Sequence, residues 1–180
     1  MSDLLEGYEL AVASYGPGGA LCAWFLRGLG ADVRHATACD PSDPTVGWLL
    51  DRPERSPDPL SLPFEAPVLV TDAPFRGETA RLIASLAQER RVVWITPWGA
   101  SGPWSGRPAT DLVLHAAGGW MSATGDPARE PLSPPGPQAS YVAGLFAAIE
   151  ALAQALEGTA AGLSDVAALE AVTATMIYDA

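Results

Sequence analysis

The stretch YELAVASYGPGGALCAWFLRGLGADVRHA, residues 8–36, decides the fold of this chain. Tyr8–Ser14 is a short apolar run that predicts a buried strand. Turn-forming residues 15–19 follow it, and Ala20–Leu29 has the pattern of a helix whose end is marked by glycine. Ala31–Ala36 then predicts a second strand. The order strand, glycine loop, helix, strand indicates a βαβ unit.

The same alternation of strand and helix returns further along the chain. Pro67–Thr71 and Val92–Thr96 predict two more buried strands, and Gly77–Arg90 between them predicts a helix. Near the end of the sequence, Leu163–Ala167 predicts a short strand and Leu169–Tyr178 a final helix. Strands that alternate with helices predict an α/β fold, with a Rossmann-like parallel sheet and flanking helices.

Two proline-rich connections, residues 40–66 and 125–137, interrupt this pattern, and neither is expected to hold a regular helix or a central strand. Thr110 is predicted to cap a helix that runs to about Gly118. Another helix is predicted at Gln138–Glu157. Its large apolar residues recur every three or four positions, which predicts a stripe facing the core. They are Tyr141, Leu145, Ile149, Leu152 and Leu156.

Composition limits the classes of function. The chain has 180 residues, 48% of them hydrophobic, which predicts a single domain over residues 1–180 with a substantial core. A formal net charge of −11 disfavours nucleic acid and anionic membranes as partners. The N-terminus has no cationic leader, and no uninterrupted apolar stretch is long enough to span a membrane, so we expect a cytoplasmic protein. Cys22 and Cys39 form neither a CxxC motif nor a repeated framework, so we expect both to be free thiols.

Asp111, His115 and Ser140 are the residue types of a hydrolase triad, but their pattern does not favour one. Asp111 and His115 lie four residues apart and share one helix face, which prevents the linear arrangement that a triad needs. The GxSxG elbow is also absent. We therefore expect His115 to be a structural histidine and Ser140 to be a helix N-cap. The two histidines and two cysteines lie far apart in sequence, so no metal site is predicted.

Three stretches of the sequence carry a resemblance to a known family. The first is Leu5–Val33, with its strand, glycine loop and helix. The second and most specific comprises ITPWG (95–99), SGPW (101–104), GRPATDL (106–112) and GGWMSATGD (118–126). The third is PQASYVAGL (137–145), with the helix that continues it and residues 165–171. Together they resemble about the N-terminal half of a class III CoA-transferase, the CaiB/BaiF family that includes formyl-CoA transferase.

The resemblance implies the fold of that family's large domain and a change in its chemistry. Members transfer CoA between carboxylic acids through an aspartate that attacks the donor thioester. The matching position here is Ser140, and no Asp or Glu lies between Pro131 and Ile149. A serine ester cannot become the enzyme-bound CoA thioester, so the resemblance implies a degenerate member. Asp111 matches an acidic family position near the active site and is expected to be a retained site residue.

The resemblance also implies CoA or acyl-CoA as the ligand. Amides of the glycine loop are expected to bind an anion at a helix N-terminus, although a purely structural turn remains an alternative. The loop after residue 97 offers two tryptophans that either hold adenine or pantetheine or pack on each other. Arginine is retained within the family's phosphate-contacting loop, and a histidine lies near a basic family position that is Ala38 here. The expected ligand-binding residues are Gly16, Gly18, Gly19, His35, Arg76, Trp98, Gly99 and Trp104.

Three functions stay open at this point. In the first, the chain is a degenerate homologue that binds acyl-CoA or supports an active partner subunit. In the second, it is an active CoA-transferase that uses a carboxylate from another chain. In the third, it is a non-enzymatic interaction domain. Because the family normally continues into a second half, we expect an exposed apolar face and either a homo-oligomer or a partner CoA-transferase subunit.

Overall fold

The structure, a computed structural model, describes residues 4–158 and 160–176. Six parallel strands form one sheet in the order β3-β2-β1-β4-β5-β6. This is the order of a doubly wound Rossmann sheet, and it confirms the predicted fold class. The strands are β1 (Glu9–Ser14), β2 (Asp32–Thr37), β3 (Glu54–Arg55), β4 (Val68–Thr71), β5 (Arg91–Thr96) and β6 (Gly162–Ala167).

Helices cover both faces of the sheet because the strand residues alternate between two cores. From β1, Leu10 and Val12 join the core under α1, α5 and α6, whereas Ala11 and Ala13 join the core with Ile83 of α2. The helices are α1 (Pro17–Gly28), α2 (Gly77–Glu89), α3 (Asp111–Ala117), α4 (Trp120–Ala123), α5 (Gln138–Glu157) and α6 (Ala168–Ala174). Cys22 and Cys39 are buried free thiols.

α5 has the predicted limits, and the prediction of its core-facing side is correct only in part: Tyr141, Leu145 and Leu152 are partly buried against the cores, whereas Ile149 and Leu156 are not. Ile149 and Leu156 are each 61% exposed, while small residues face the core. The reason is the close approach of α1, where a Cβ at Gly144 would lie 2.3 Å from the carbonyl oxygen of Gly18. Large side chains cannot enter such a contact. The buried residues of α5 are Ala139, Ala143, Gly144, Ala147, Ala148, Ala151 and Gln154.

Other elements differ from the predictions mainly at their ends. α1 begins at Pro17, because proline is favoured in the first turn of a helix, so Gly18 and Gly19 lie in that turn and not in a loop. Within residues 40–66 there are two short 3₁₀ helices and β3, which adds two residues at the sheet edge. α6 ends at Ala174, and the predicted end at Tyr178 lies outside the described residues.

One helix, α5, is long and apolar enough to cross a membrane by length and composition alone. The core helix of a soluble protein passes the same test, and α5 packs on α1 and the sheet with seven buried residues. Its apolar character is therefore explained by the α/β core.

Candidate functional site

A cleft opens where the strand order reverses. β1 pairs with β2 on one side and with β4 on the other, and ligands of open α/β sheets bind at the carboxyl ends of strands at such a point. The cleft has a volume of about 190 Å³. Its lining brings together the ends of β1, β4 and β5 with α3 and α5. The polar side chains in this lining are Tyr15, Asp72, Thr96, Asp111 and Ser140.

Ser140 and Asp111 form a direct contact in this cleft. The Ser140 hydroxyl donates to Asp111 Oδ2 at 2.8 Å, and the Ser140 backbone N–H donates to Oδ1 at 2.9 Å. Asp111 is placed by α3, whose start is capped as predicted by Thr110. The prediction that Ser140 is an N-cap is wrong, since Pro137 has that position and the Ser140 hydroxyl donates instead of accepting. The carboxylate of Asp111 thus caps the first turn of α5.

His115 is a second cap for the same helix. The backbone N–H of Ala139 donates to His115 Nε2 at 3.2 Å, and Nδ1 lies 3.1 Å from Ser133 Oγ. This pattern assigns the imidazole proton to Nδ1. Nε2 lies 4.0 Å from Asp111 Oδ1, and the imidazole does not stand between Asp111 and Ser140. The four-residue spacing of Asp111 and His115 therefore serves to cap two amides of α5.

Asp72 occupies the N-terminus of α1. Its carboxylate accepts from the Tyr15 N–H at 2.6 Å and from the Gly19 N–H at 2.8 Å. Glycine is needed at position 19, where a Cβ would lie 2.8 Å from Asp72 Oδ1. That Gly16, Gly18 and Gly19 bind a ligand anion stays a prediction, and the anion that this helix terminus holds in the structure is the chain's own carboxylate. A phosphate would have to displace it.

The pKa of Asp72 is raised to about 6 because burial disfavours the charged form, and the amide donors offset only part of that effect. A folded-state pKa above the unfolded value means that the contribution of Asp72 to stability is greatest at low pH and is lost as pH rises through about 6. We expect the free energy of unfolding, relative to that of Asp72→Asn, to fall by about 1–2 kcal/mol between pH 4 and 7. Urea unfolding of both proteins across this range measures the difference, and a difference that is constant with pH would contradict the expectation.

His35 and Arg76 lie outside the cleft, in different settings. His35 is buried on β2, where its Nε2 lies 2.8 Å from Ser14 Oγ. Burial and the nearby charge of Arg27 lower the pKa of His35 to about 3, so His35 is neutral and cannot supply the cation expected for a phosphate. Arg76 is exposed at the start of α2 and lines an adjoining cleft of about 490 Å³. Tyr15 and Pro74 line both clefts.

Trp98, Gly99 and Trp104 lie in the loop after β5. The two indole rings pack edge to face with centroids 4.9 Å apart. Of the two predicted alternatives, ligand binding or packing of the tryptophans on each other, the structure shows the packing. Gly99 has the left-handed φ of +99°, and its N–H donates to Thr96 Oγ1 at 3.0 Å. Asp165 of β6 accepts from the Thr96 hydroxyl and from the Ala100 N–H. The loop is thereby tied to the sheet, and neither tryptophan lines the cleft.

Sequence reasoning missed Asp72, Tyr15 and Thr96 as members of the site. Each follows or ends a strand, but only the adjacency of β1, β4 and β5 brings these strand ends together. An acid directly after the predicted strand at 67–71 was the available signal for Asp72. Within residues 4–158 and 160–176, no three His, Cys, Asp or Glu side chains are grouped closely enough to hold a metal ion.

Comparisons with known proteins agree with this architecture. Residues 91–179 match the family model of CoA-transferase family III. A solved structure of the hypothetical protein Rv3272 from Mycobacterium tuberculosis is similar, with 18% identity, a TM-score of 0.70, and coverage of 97% of this chain and 58% of that one. Its orthorhombic form gives 20% identity, a TM-score of 0.73, and coverage of 97% and 56%.

A CAIB/BAIF family protein from Brucella suis is also similar, with 18% identity, a TM-score of 0.63, and coverage of 96% of this chain and 55% of that one. No curated protein matches the sequence. The chain thus spans little more than half the length of the solved structures that it resembles.

Proposed function

This chain belongs to the class III CoA-transferase family, and from that membership we propose that it binds CoA or an acyl-CoA thioester without catalysing the family's transfer reaction. The bound acyl end would lie in the cleft beside Ser140 and Asp111. The protein then acts as a degenerate homologue that holds the thioester or supports an active partner subunit.

The observation that carries this proposal is Ser140 itself. It stands in the cleft at the position where the family resemblance places the nucleophilic aspartate, and its hydroxyl donates to Asp111. A carboxylate nucleophile forms a mixed anhydride, which CoA can attack to give an enzyme thioester. A serine nucleophile would form an ester, whose alkoxide leaving group is far poorer than a carboxylate. At Ser140 the transfer cycle therefore cannot proceed to the enzyme-bound CoA thioester.

The charges of the two adjoining clefts support one orientation of the ligand. The cleft beside Ser140 is lined by two carboxylates, Asp72 and Asp111, and by no basic residue. That setting disfavours phosphate groups. Arg76 lines the adjoining cleft, where it is the single basic residue and where Asp58 and Glu78 are also lining residues. We propose that the thioester end lies near Ser140 and that the phosphates point towards Arg76. We also propose that the protein is located in the cytoplasm.

A trapping experiment tests the absence of transfer chemistry. Incubation with acetyl-CoA and hydroxylamine is expected to release no acetohydroxamate above the rate of a protein-free control, because Ser140 stands in place of the family's nucleophilic aspartate and the carboxylates of Asp72 and Asp111 accept hydrogen bonds from helix N–H groups. Hydroxamate is measured colorimetrically, and the protein mass is followed in parallel. Enzyme-dependent hydroxamate would contradict the proposal and favour the second candidate function, CoA transfer with a carboxylate supplied by another chain.

A further inference from the structure

The outer edge of β6 is open. β6 is the terminal strand of the sheet, and the N–H of Gly162 donates inward to the carbonyl of Arg90. Because backbone groups alternate along a strand, Leu163 and Asp165 present their N–H and C=O groups outward. No strand within residues 4–158 and 160–176 pairs with this edge. Such a row of backbone groups is a template for another strand.

An apolar groove runs beside this edge. It has a volume of about 300 Å³ and lies between α5, β6 and α6. Phe146 and Ile149 stand on its α5 side and are 39% and 61% exposed. Its apolar lining is completed by Val166, Ala167, Ala171 and Ala174. Exposed apolar side chains next to an open strand edge offer the alternating pockets that an added strand uses for side-chain recognition.

The charged residues of the groove are all acidic. Glu150, Asp165 and Glu170 line it, and no basic residue does. Asp165 and Glu170 are both exposed, but the carboxylate of Asp165 is held by Thr96 and Ala100, and Glu150 accepts from Ser164, so Glu170 is the charge that we expect a partner to meet. A second copy of this chain would bring acid against acid. Charge complementarity therefore favours a different, basic partner.

We propose that the β6 edge binds an extended polypeptide segment, which adds a strand to the sheet and carries apolar and basic side chains at every second position, so that both kinds face the groove. Its backbone pairs with the outward groups of Leu163 and Asp165. Its apolar side chains enter the groove at Phe146 and Ile149, and its basic side chains meet the acidic rim at Glu170. This surface does not depend on CoA binding.

The test uses the blocked nine-residue peptide VTKTVTKTV, in which valine and lysine share every second position, with VTETVTETV as control. The valine and lysine peptide is expected to bind saturably and to slow hydrogen exchange at the amides of Leu163 and Asp165. Leu163→Pro should abolish this binding, because it removes an outward N–H without removing a bond to β5. Leu163→Ala keeps that N–H and is the matched control.

A charge pair of variants gives a second readout that does not depend on proline. Glu170→Lys is expected to weaken binding about threefold at low salt, whereas Glu54→Lys, the same charge change on β3 at the opposite edge of the sheet, should leave it unchanged. Equal binding of the two peptides, protection away from β6, or equal effects of the two lysine variants would overturn the proposal. Self-association of the chain through β6 would overturn it in favour of a second copy.

Discussion

Replacing Gly144 by alanine is expected to lower the free energy of unfolding by about 3 kcal/mol or more. A Cβ at this position would lie 2.3 Å from the Gly18 carbonyl oxygen, a backbone atom that no side-chain rotation can move. α5 would have to shift away from α1. Since Gly18 and Ser140 both line the cleft, the shift would also disturb the candidate site.

Gly28→Ala is the matched control for this substitution. Gly28 is also helical, but a Cβ there would meet nothing within 4 Å, so alanine should leave stability unchanged or raise it by up to about 1 kcal/mol. Urea unfolding followed by circular dichroism measures both variants. Equal stabilities of Gly144→Ala and Gly28→Ala would show that the close contact between α1 and α5 is absent.

Asp111→Ala is expected to lower the free energy of unfolding by about 2–3 kcal/mol. The substitution leaves both the hydroxyl and the backbone N–H of Ser140 without their acceptor at the start of α5. Donors that lose their partners in a partly buried site cost more than the hydrogen bond itself contributed. The lost carboxylate also faced the positive end of a helix, which adds to the effect.

Asp111→Asn separates capping from charge. An asparagine oxygen can still accept from the Ser140 N–H, and its amide can donate to the Ser140 hydroxyl, which rotates to accept. We expect this variant to lose less than half as much stability as Asp111→Ala in the same urea experiment. If the two variants are equally unstable, the charge and not the hydrogen-bond geometry holds α5 to α3.

Local patterns predicted the elements well. The run at residues 8–36 identified β1, α1 and β2, and the limits of α5 agree with the structure because a long apolar segment between proline and glycine has few alternatives. The buried face of α5 was not predictable in the same way. Periodicity marks the larger side chains as core, but the close approach to Gly18 admits only glycine and alanine, and no local pattern reports that distance.

The candidate site shows the same limit. Asp111 and Ser140 were identified from family motifs, and their contact follows from the packing of α3 on α5. Asp72 was visible only as an acid after a strand. Its position at the start of α1 depends on β4 lying next to β1, which strands distant in sequence do not reveal. His35 looked like a cation in the sequence, and burial makes it neutral.

The proposed function requires that acyl-CoA binds in the cleft although Ser140 stands in place of the carboxylate that transfers CoA. Isothermal titration of the protein with acetyl-CoA measures this binding, with Arg76→Glu as the variant that should weaken it. We expect a saturable isotherm at submillimolar to millimolar ligand, with the ligand recovered intact. No saturable binding at millimolar acetyl-CoA would overturn the proposed function.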